Sequence, residues 1–299
     1  MINAIEDFLQ HLKLEQGLAE NTISAYRADL MELVRQFPKS TPVKITASDL
    51  NKYFADLAAR GRRPATLARK VSAVRCLFGY LQERGVVRSS PASGYRAPKL
   101  ARYHPDYLSV GEIEQILEAC KTDPRLAVRD KAIIEVLYGC GLRISELAGL
   151  RVGDVEFEAG FLKVIGKGNK QRLVPLGEYA RRAIEEYLDD PLRKKHLASG
   201  SQPVFVNRSG STLSRVGLWK IIRKLVLRAG IAKSVTPHTF RHSFATHLLA
   251  GGADLRTVQE MLGHADISTT EIYTQIDQGY IVAEHRRHHP RELAGFRRK

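Results

Sequence analysis

Cysteine is scarce in this chain of 299 residues. Cys76, Cys120 and Cys140 are the whole complement, with no C-x-x-C pair and no histidine at zinc-ligand spacing. That excludes a disulfide-stapled scaffold and a structural zinc site, and the three thiols read as small apolar residues of a reducing compartment. Long apolar runs are missing too. The most hydrophobic stretch, Ala132 to Leu142, contains Glu135 and is too short to span a bilayer. The opening segment MINAIEDFLQHL is acidic and amphipathic without a basic leader, so no secretory signal is expected; the expected setting is cytoplasmic, with no membrane partner. The pattern G-x-x-x-x-G-K-[ST] is absent, since GKGNK has the wrong glycine spacing, and this removes a P-loop ATPase. Neither H-E-x-x-H nor G-x-S-x-G occurs. The motif-like segments hold no carboxylate cluster able to bind two Mg²⁺ ions, which counts against a two-metal nuclease.

Negative charge is the remaining shortage. Lys and Arg number 47 against 32 Asp and Glu, a net charge of +15. The excess runs along the whole chain, with 16 basic and 9 acidic residues in 1–100 and 31 and 23 in 101–299. Such a balance argues about partners and not about fold, and it favours a polyanion. At 43% hydrophobic and 26% charged residues the chain is otherwise an ordinary globular composition, so a basic but unspecialised enzyme stays open at this point.

Hydrophobic periodicity divides the chain. Ile2, Ile5, Phe8, Leu9 and Leu12 recur at helical spacing with Gly17 as a stop, and a second helix is expected over 22–33. Thr46 and Asp49 form a capping box before a third helix carrying Leu50, Phe54 and Leu57, closed by Gly61. The fourth, over 65–83, buries Leu67, Val71, Val74, Phe78 and Leu81 and carries Arg62, Arg63, Arg69, Lys70 and Arg75 opposite. A charged face is usually just solvated; in so cationic a chain it is equally a candidate for phosphate or groove contact. Residues 85–108 contain three prolines and two glycines without apolar periodicity. The expected layout is a domain of residues 1–88, a linker of 89–108 and a second domain of 109–299. The second opens with a Ser109–Glu112 box and continues as helices over 127–138, 178–188, 213–229, 239–250, 255–262, 269–276 and 279–288. One β-hairpin, 161–165 with 172–176, interrupts them. The expected fold class is mainly α, a small helical domain followed by a larger, mostly helical one with a small hairpin.

The residues that could carry chemistry are cationic. Arg143 follows the Gly139–Gly141 turn and opens the short helix ISELAGL; Lys167 sits at the hairpin tip. His238 and Arg241 lie one turn apart at the start of a helix capped by Thr236 with Pro237 at its first position, an end that favours anions. His264 follows Leu262-Gly263, and Tyr273 lies nine residues on. Singly, each has an ordinary explanation: Arg143 could pair with Glu146, Lys167 could be solvated, His264 could cap a helix and Tyr273 could be a half-buried core aromatic. His238 and His242 share a helix face, but their segment supplies no acid or cysteine to complete a ligand set, so no metal is expected. Together, two arginines, a lysine and two histidines would bind both non-bridging oxygens of a phosphodiester and neutralise a pentavalent transition state without metal. A tyrosine beside such cations is a reasonable nucleophile.

The segments GCGLRISELAGL (139–150), VIGKGNKQRLVPLG (164–177), TPHTFRHSFATHLLAGGADLRTVQEMLGH (236–264) and ADISTTEIYTQI (265–276) resemble the catalytic domain of the tyrosine site-specific recombinases, the phage-integrase family. GLAENTISAYRADL (17–30) resembles the core-binding, SAM-like DNA-binding domain of the Xer branch, and the tail HHPREL (288–293) is closer to XerD-like than to XerC-like members. Gln275 stands where many Xer sequences have His. The resemblance implies the DNA breaking–rejoining enzyme fold, with Tyr273 as nucleophile forming a 3′-phosphotyrosyl bond and Arg143 and Arg241 on the non-bridging oxygens. It implies Lys167 as general acid, His238 assisting proton transfer, His264 donating to the phosphate, and Glu146 orienting Arg143 from behind. No metal, ATP or other cofactor is implied. The implied partner is double-stranded DNA with an inverted-repeat site, held by a tetramer that includes a related XerC-like recombinase, in the service of dimer resolution at cell division; a DNA translocase is a further candidate partner. Arg27, Arg69, Lys70 and Arg75 are the expected DNA contacts of the first domain. The last helix, 279–289, is expected to dock on a neighbouring protomer. A mobile-element integrase, a type IB topoisomerase and a non-catalytic DNA-binding factor are the alternatives.

Overall fold

The computed structural model describes residues 1–16, 18, 20–38, 40–95, 107–166, 171–196, 202–263 and 275–293. The chain divides into two compact units, residues 1–103 and 104–299. The described residues form thirteen α-helices and one three-stranded sheet, so the fold is mainly α. No helix among them is long and apolar enough to cross a membrane.

The first unit is built from α1 (Ile2–Leu14), α2 (Glu20–Gln36), α3 (Ala47–Ala59) and α4 (Pro64–Glu83). Each presents an apolar stripe, and α4 packs against the other three. Phe8, Leu30, Leu33, Leu50, Phe54, Leu77 and Phe78 form the centre of its core. The local signals work as expected: the Thr46 hydroxyl accepts from Asp49 N at 3.2 Å and the Asp49 carboxylate accepts from Thr46 N at 3.0 Å. Gly61 ends α3 at φ +72°, and Pro64 starts α4. Val87 and Ala92, from the Pro- and Gly-rich stretch, are buried in this core.

Lys70 departs from its expected place on a cationic face. Its side chain is 4% exposed, and its ammonium donates to Asp29 and Glu32, both at 2.8 Å. Asp29 also accepts from Arg69 at 2.6 Å. A buried carboxylate needs matched donors, and Lys70 supplies one from inside the helix bundle. Lys70 is therefore buried and ion-paired inside the bundle and does not lie on the exposed cationic face of α4. Arg69 is bonded to Asp29 and to the Ala25 carbonyl, and Arg27 is paired with Glu6, though both remain partly exposed. Arg75 is exposed and has no ion-pair partner among the described residues.

The second unit winds around α6 (Ala127–Gly139), whose residues 132–139 are all buried. That explains the apolar run without amphipathic period: a helix covered on every side needs no polar face. It contacts α5 (Val110–Cys120), α7 (Ile144–Gly149), α8 (Glu178–Asp189) and α11 (Pro237–Ala250). The sheet is antiparallel in the order β1 (Val155–Glu156), β2 (Phe161–Ile165), β3 (Gln171–Pro175), with Leu162 facing Val174 and Val164 facing Arg172 across β2 and β3. The two-residue β1 adds a strand to the expected hairpin. A short α9 (Pro191–His196) and α10 (Arg215–Arg228) follow α8, and α12 (Leu255–Leu262) and α13 (Gln275–His288) close the unit.

The C-terminal segment packs on the second unit. Ile281 packs in a cluster with Phe244, Leu248 and Met261. The His285 ring N–H donates to the Gly139 carbonyl at 2.8 Å, and the Arg291 guanidinium forms a buried pair with Glu135 of α6. A Glu292 carboxylate oxygen accepts from Glu178 N at 2.9 Å, satisfying a free N–H at the start of α8. The expected helix over 269–276 falls mostly on residues outside those described.

Removing the buried cation of the first unit should be costly. Lys70→Met is expected to lower stability by about 3 kcal/mol, because it strips the buried Asp29 Oδ1 of its donor and leaves only Arg69 on the other oxygen. Arg75→Met on the exposed face of α4 should change it by less than about 0.5 kcal/mol. Urea unfolding followed by circular dichroism distinguishes the two.

Candidate active site

The site is organised by one carboxylate. Glu146 lies in the first turn of α7, inside the unit, its side chain 2% exposed. Its Oε1 accepts from Arg143 Nη1 at 2.8 Å and from Arg172 Nη1 at 2.6 Å. Its Oε2 accepts from the Arg143 backbone N–H and from Arg172 Nη2, both at 2.8 Å. Four lone-pair positions are thus filled by four donors. Arg241 Nη1 lies 4.0 Å from Oε2, close enough for charge attraction but not for a hydrogen bond. Burial works to raise the Glu146 pKa, but hydrogen bonds and charge from Arg172, with bonds from Arg143, outweigh it and hold the carboxyl at about 2.

The guanidinium groups are fixed a second time at the end of α12. Its last carbonyls lack helical partners, and three arginines take them in succession. Arg172 Nε donates to the Met261 carbonyl at 3.1 Å, Arg241 Nη2 donates to that of Leu262, and Arg143 Nη2 donates to that of Gly263 at 3.2 Å. Cations at a helix C-terminus also meet the negative end of its dipole. Arg241 reaches back to the Gly141 carbonyl through Nη1 at 2.8 Å. Burial, and then the charges of Arg143 and Arg172, push the Arg241 pKa down to about 9, with Glu146 opposing.

Two glycines make this approach possible. Gly141 has φ +58°, and a Cβ there would lie 2.5 Å from the Phe244 ring. Gly263 has φ +65°, and a Cβ there would lie 2.7 Å from Arg172 Cδ. At both positions an L side chain meets backbone strain and a packed neighbour together.

Arg143 is partly exposed while Arg241 and Arg172 are buried. His238 is exposed at the second position of α11, one turn before Arg241, after the Thr236 cap and Pro237. It lines an open groove with Ile144, Val216 and Trp219. The structure therefore gathers Arg143, Glu146 and Arg241 in one cluster and sets His238 on the helix that carries Arg241. Lys167, His264 and Tyr273 lie outside the described residues.

Sequence reasoning missed Arg172. The signal was there: in β3 its position shares the face of buried Val174, and an arginine on the core side of a strand requires a buried acid.

The second unit is mostly helical and gathers a cluster in which three guanidinium groups and one carboxylate leave two net positive charges. Residues 106–279 match the phage integrase family, and residues 5–85 match the phage integrase N-terminal SAM-like domain. The chain is 43% identical over 295 residues to "Tyrosine recombinase XerD" of Oceanobacillus iheyensis, covering 96% of this chain and 98% of that one. It is 38% identical to "Tyrosine recombinase XerC" of Thermodesulfovibrio yellowstonii, covering 96% of each. Among solved structures, XerH bound to palindromic difH substrate is similar at TM-score 0.67 and 23% identity, covering 93% of this chain and 82% of that chain. A lambda integrase dimer bound to a COC' core site is similar at TM-score 0.71 and 17% identity, covering 91% and 98%. The chain belongs to the phage integrase family and is a tyrosine recombinase, an enzyme of site-specific DNA cutting and rejoining.

The Glu146 shift gives the site a pH signature. A folded pKa near 2 against an ordinary 4.5 means the ionised carboxylate contributes to stability above pH 4.5 and loses that contribution as pH falls towards 2. The contribution is about 3 kcal/mol. Glu146→Gln should therefore be less stable than wild type at neutral pH, with the gap closing across that acid window. Urea midpoints measured from pH 6 to pH 2.5 check this.

Proposed function

We propose that the chain breaks one DNA strand by attack of the Tyr273 hydroxyl oxygen on the scissile phosphate. The phosphorus–5′-oxygen bond breaks as the 3′-phosphotyrosyl bond forms, and Lys167 delivers a proton to the leaving 5′-oxygen. Arg143 and Arg241 bind the non-bridging oxygens, His238 assists proton removal from Tyr273, and His264 donates to the phosphate. Glu146 orients Arg143. A 5′-hydroxyl from a second duplex then reverses the step. Because the phosphotyrosyl ester retains the energy of the broken bond, the cycle needs neither ATP nor a second activated group.

The observation that supports this reading is the gathering of Arg143 and Arg241 at a carboxylate whose four acceptor positions are already filled by Arg143 and Arg172. Among the described residues, N–H groups on both remain uncommitted, and two net positive charges suit a transition state that is more negative than the ground-state diester. The family's whole-chain resemblance extends the reading to its setting. Residues 1–88 serve as a DNA-binding domain joined by 89–108 to the catalytic domain of 109–299. The enzyme works in the cytoplasm as a tetramer on two duplexes with inverted-repeat sites, alongside a related XerC-like recombinase. It resolves chromosome or plasmid dimers at cell division, with a DNA translocase as a further partner. Arg75 is the leading groove contact of the first domain, with Arg27 and Arg69 as ion-paired auxiliaries.

A nicked duplex carrying the host's dimer-resolution site tests the chemistry. In excess chelator, wild type should give a covalent protein–DNA adduct on a denaturing gel, and Tyr273→Phe should give none while still binding the duplex. Equal adduct from both would overturn the assignment of the nucleophile.

A further inference from the structure

Arg172 has no role in the chemistry assigned above, yet its side chain is held at more points than that of Arg143 or Arg241. Its guanidinium fork spans both Glu146 oxygens, at 2.6 and 2.8 Å, and its Nε reaches the Met261 carbonyl. The next two carbonyls of α12 take Arg241 and Arg143. One residue of β3 thus ties together the carboxylate that Arg143 leans on and the helix end that both other arginines grip. His264 follows that helix end directly in the chain.

Removal of Arg172 would act first on the carboxylate. Two lone-pair positions of a buried carboxylate would open, and an unsatisfied buried carboxylate recruits the nearest donors. Those are Arg143, already on Oε1, and Arg241, at 4.0 Å from Oε2. Each N–H drawn inward is one fewer for a substrate oxygen. The cluster would also fall from two net positive charges to one. A lysine cannot replace the fork, because one ammonium is a single point charge and does not span two carboxylate oxygens and a carbonyl in a plane.

We propose that Arg172 is a positioning residue of this recombinase, one that saturates Glu146 and pins the last turn of α12 so that Arg143 and Arg241 keep their outward N–H groups for the scissile phosphate. The proposal rests on the reading of Arg143 and Arg241 as phosphate ligands. It differs from a stability role in a way that can be measured. If the arginines are misplaced, the loss falls on stabilisation of a charged non-bridging oxygen; if the domain is merely loosened, every substrate suffers alike.

The test uses the full chain as wild type, Arg172→Met, Arg172→Lys and Arg143→Ala, on nicked duplexes whose scissile link is either a phosphodiester or a neutral methylphosphonate. Rates of covalent adduct formation are read on both, with duplex binding and thermal melting as controls. Arg172→Met should slow the phosphodiester by about 100-fold, the scale expected for a misplaced catalytic group. It should slow the methylphosphonate much less, so that the ratio of the two rates falls by about tenfold or more. Arg172→Lys should shift the ratio in the same direction; if Arg172→Met does not fold, the lysine variant, which keeps the charge, decides. Equal slowing of both substrates, or slowing of neither, would overturn the positioning role. An unchanged ratio in Arg143→Ala would instead overturn the reading of the arginines as phosphate ligands, whatever Arg172 does.

Discussion

A carboxylate taken out of water must be met by donors on every side, and in the second unit that requirement falls on Glu146. The residues that meet it come from three places far apart in sequence: the α7 entry at Arg143, the second long strand at Arg172, and α11 at Arg241. Satisfying one buried charge therefore docks a helix start, a sheet and a second helix on one another. Such ion clusters add little net stability over apolar packing of the same volume. Here the cluster has another use, since it holds like charges together that would otherwise separate. Arg143 and Arg241 repel, and that repulsion contributes to the depressed pKa of Arg241.

The C-terminal turn of α12 is the counterpart of that carboxylate. A helix end exposes carbonyls that must find donors, and a left-handed glycine is the usual way to finish one. Gly263 does this and clears space for the Arg172 stem in the same stroke. Gly141 likewise turns the chain and offers its carbonyl to Arg241, at a place where the Phe244 ring leaves no room for a Cβ. The Gly-Cys-Gly and Leu-Gly-His motifs are thus steric and electrostatic statements about where arginines can stand.

Much of this was legible in the sequence, and the reasons differ by element. The Thr46, Ser109 and Thr236 caps announce helix starts through short-range hydrogen bonds that depend on a few adjacent residues. The stripes of α1 to α4 are long enough for periodicity to speak. α9 escaped because Pro-Leu-Arg-Lys-Lys-His has no apolar period, and β1 because two residues carry no alternation. Lys70 was misplaced because helical spacing puts it at the border of the apolar stripe, where only the presence of Asp29 and Glu32 on a neighbouring helix decides which way an ammonium turns. For Arg172 the alternation of β3 marks the position as buried, but its partner lies 26 residues away in sequence and local pattern does not name it.

The tail has a consequence for the order in which the protein comes into being. Arg291, the guanidinium partner of Glu135 in the central helix, and Glu292, which closes the start of α8, are among the last described residues of the chain. A chain made from its N-terminus completes the first unit's core by residue 95, long before those two side chains exist. During synthesis the helices of the first unit can therefore fold while α6 still lacks its buried counter-charge. The core of the second unit is complete only once residues 291 and 292 have been made.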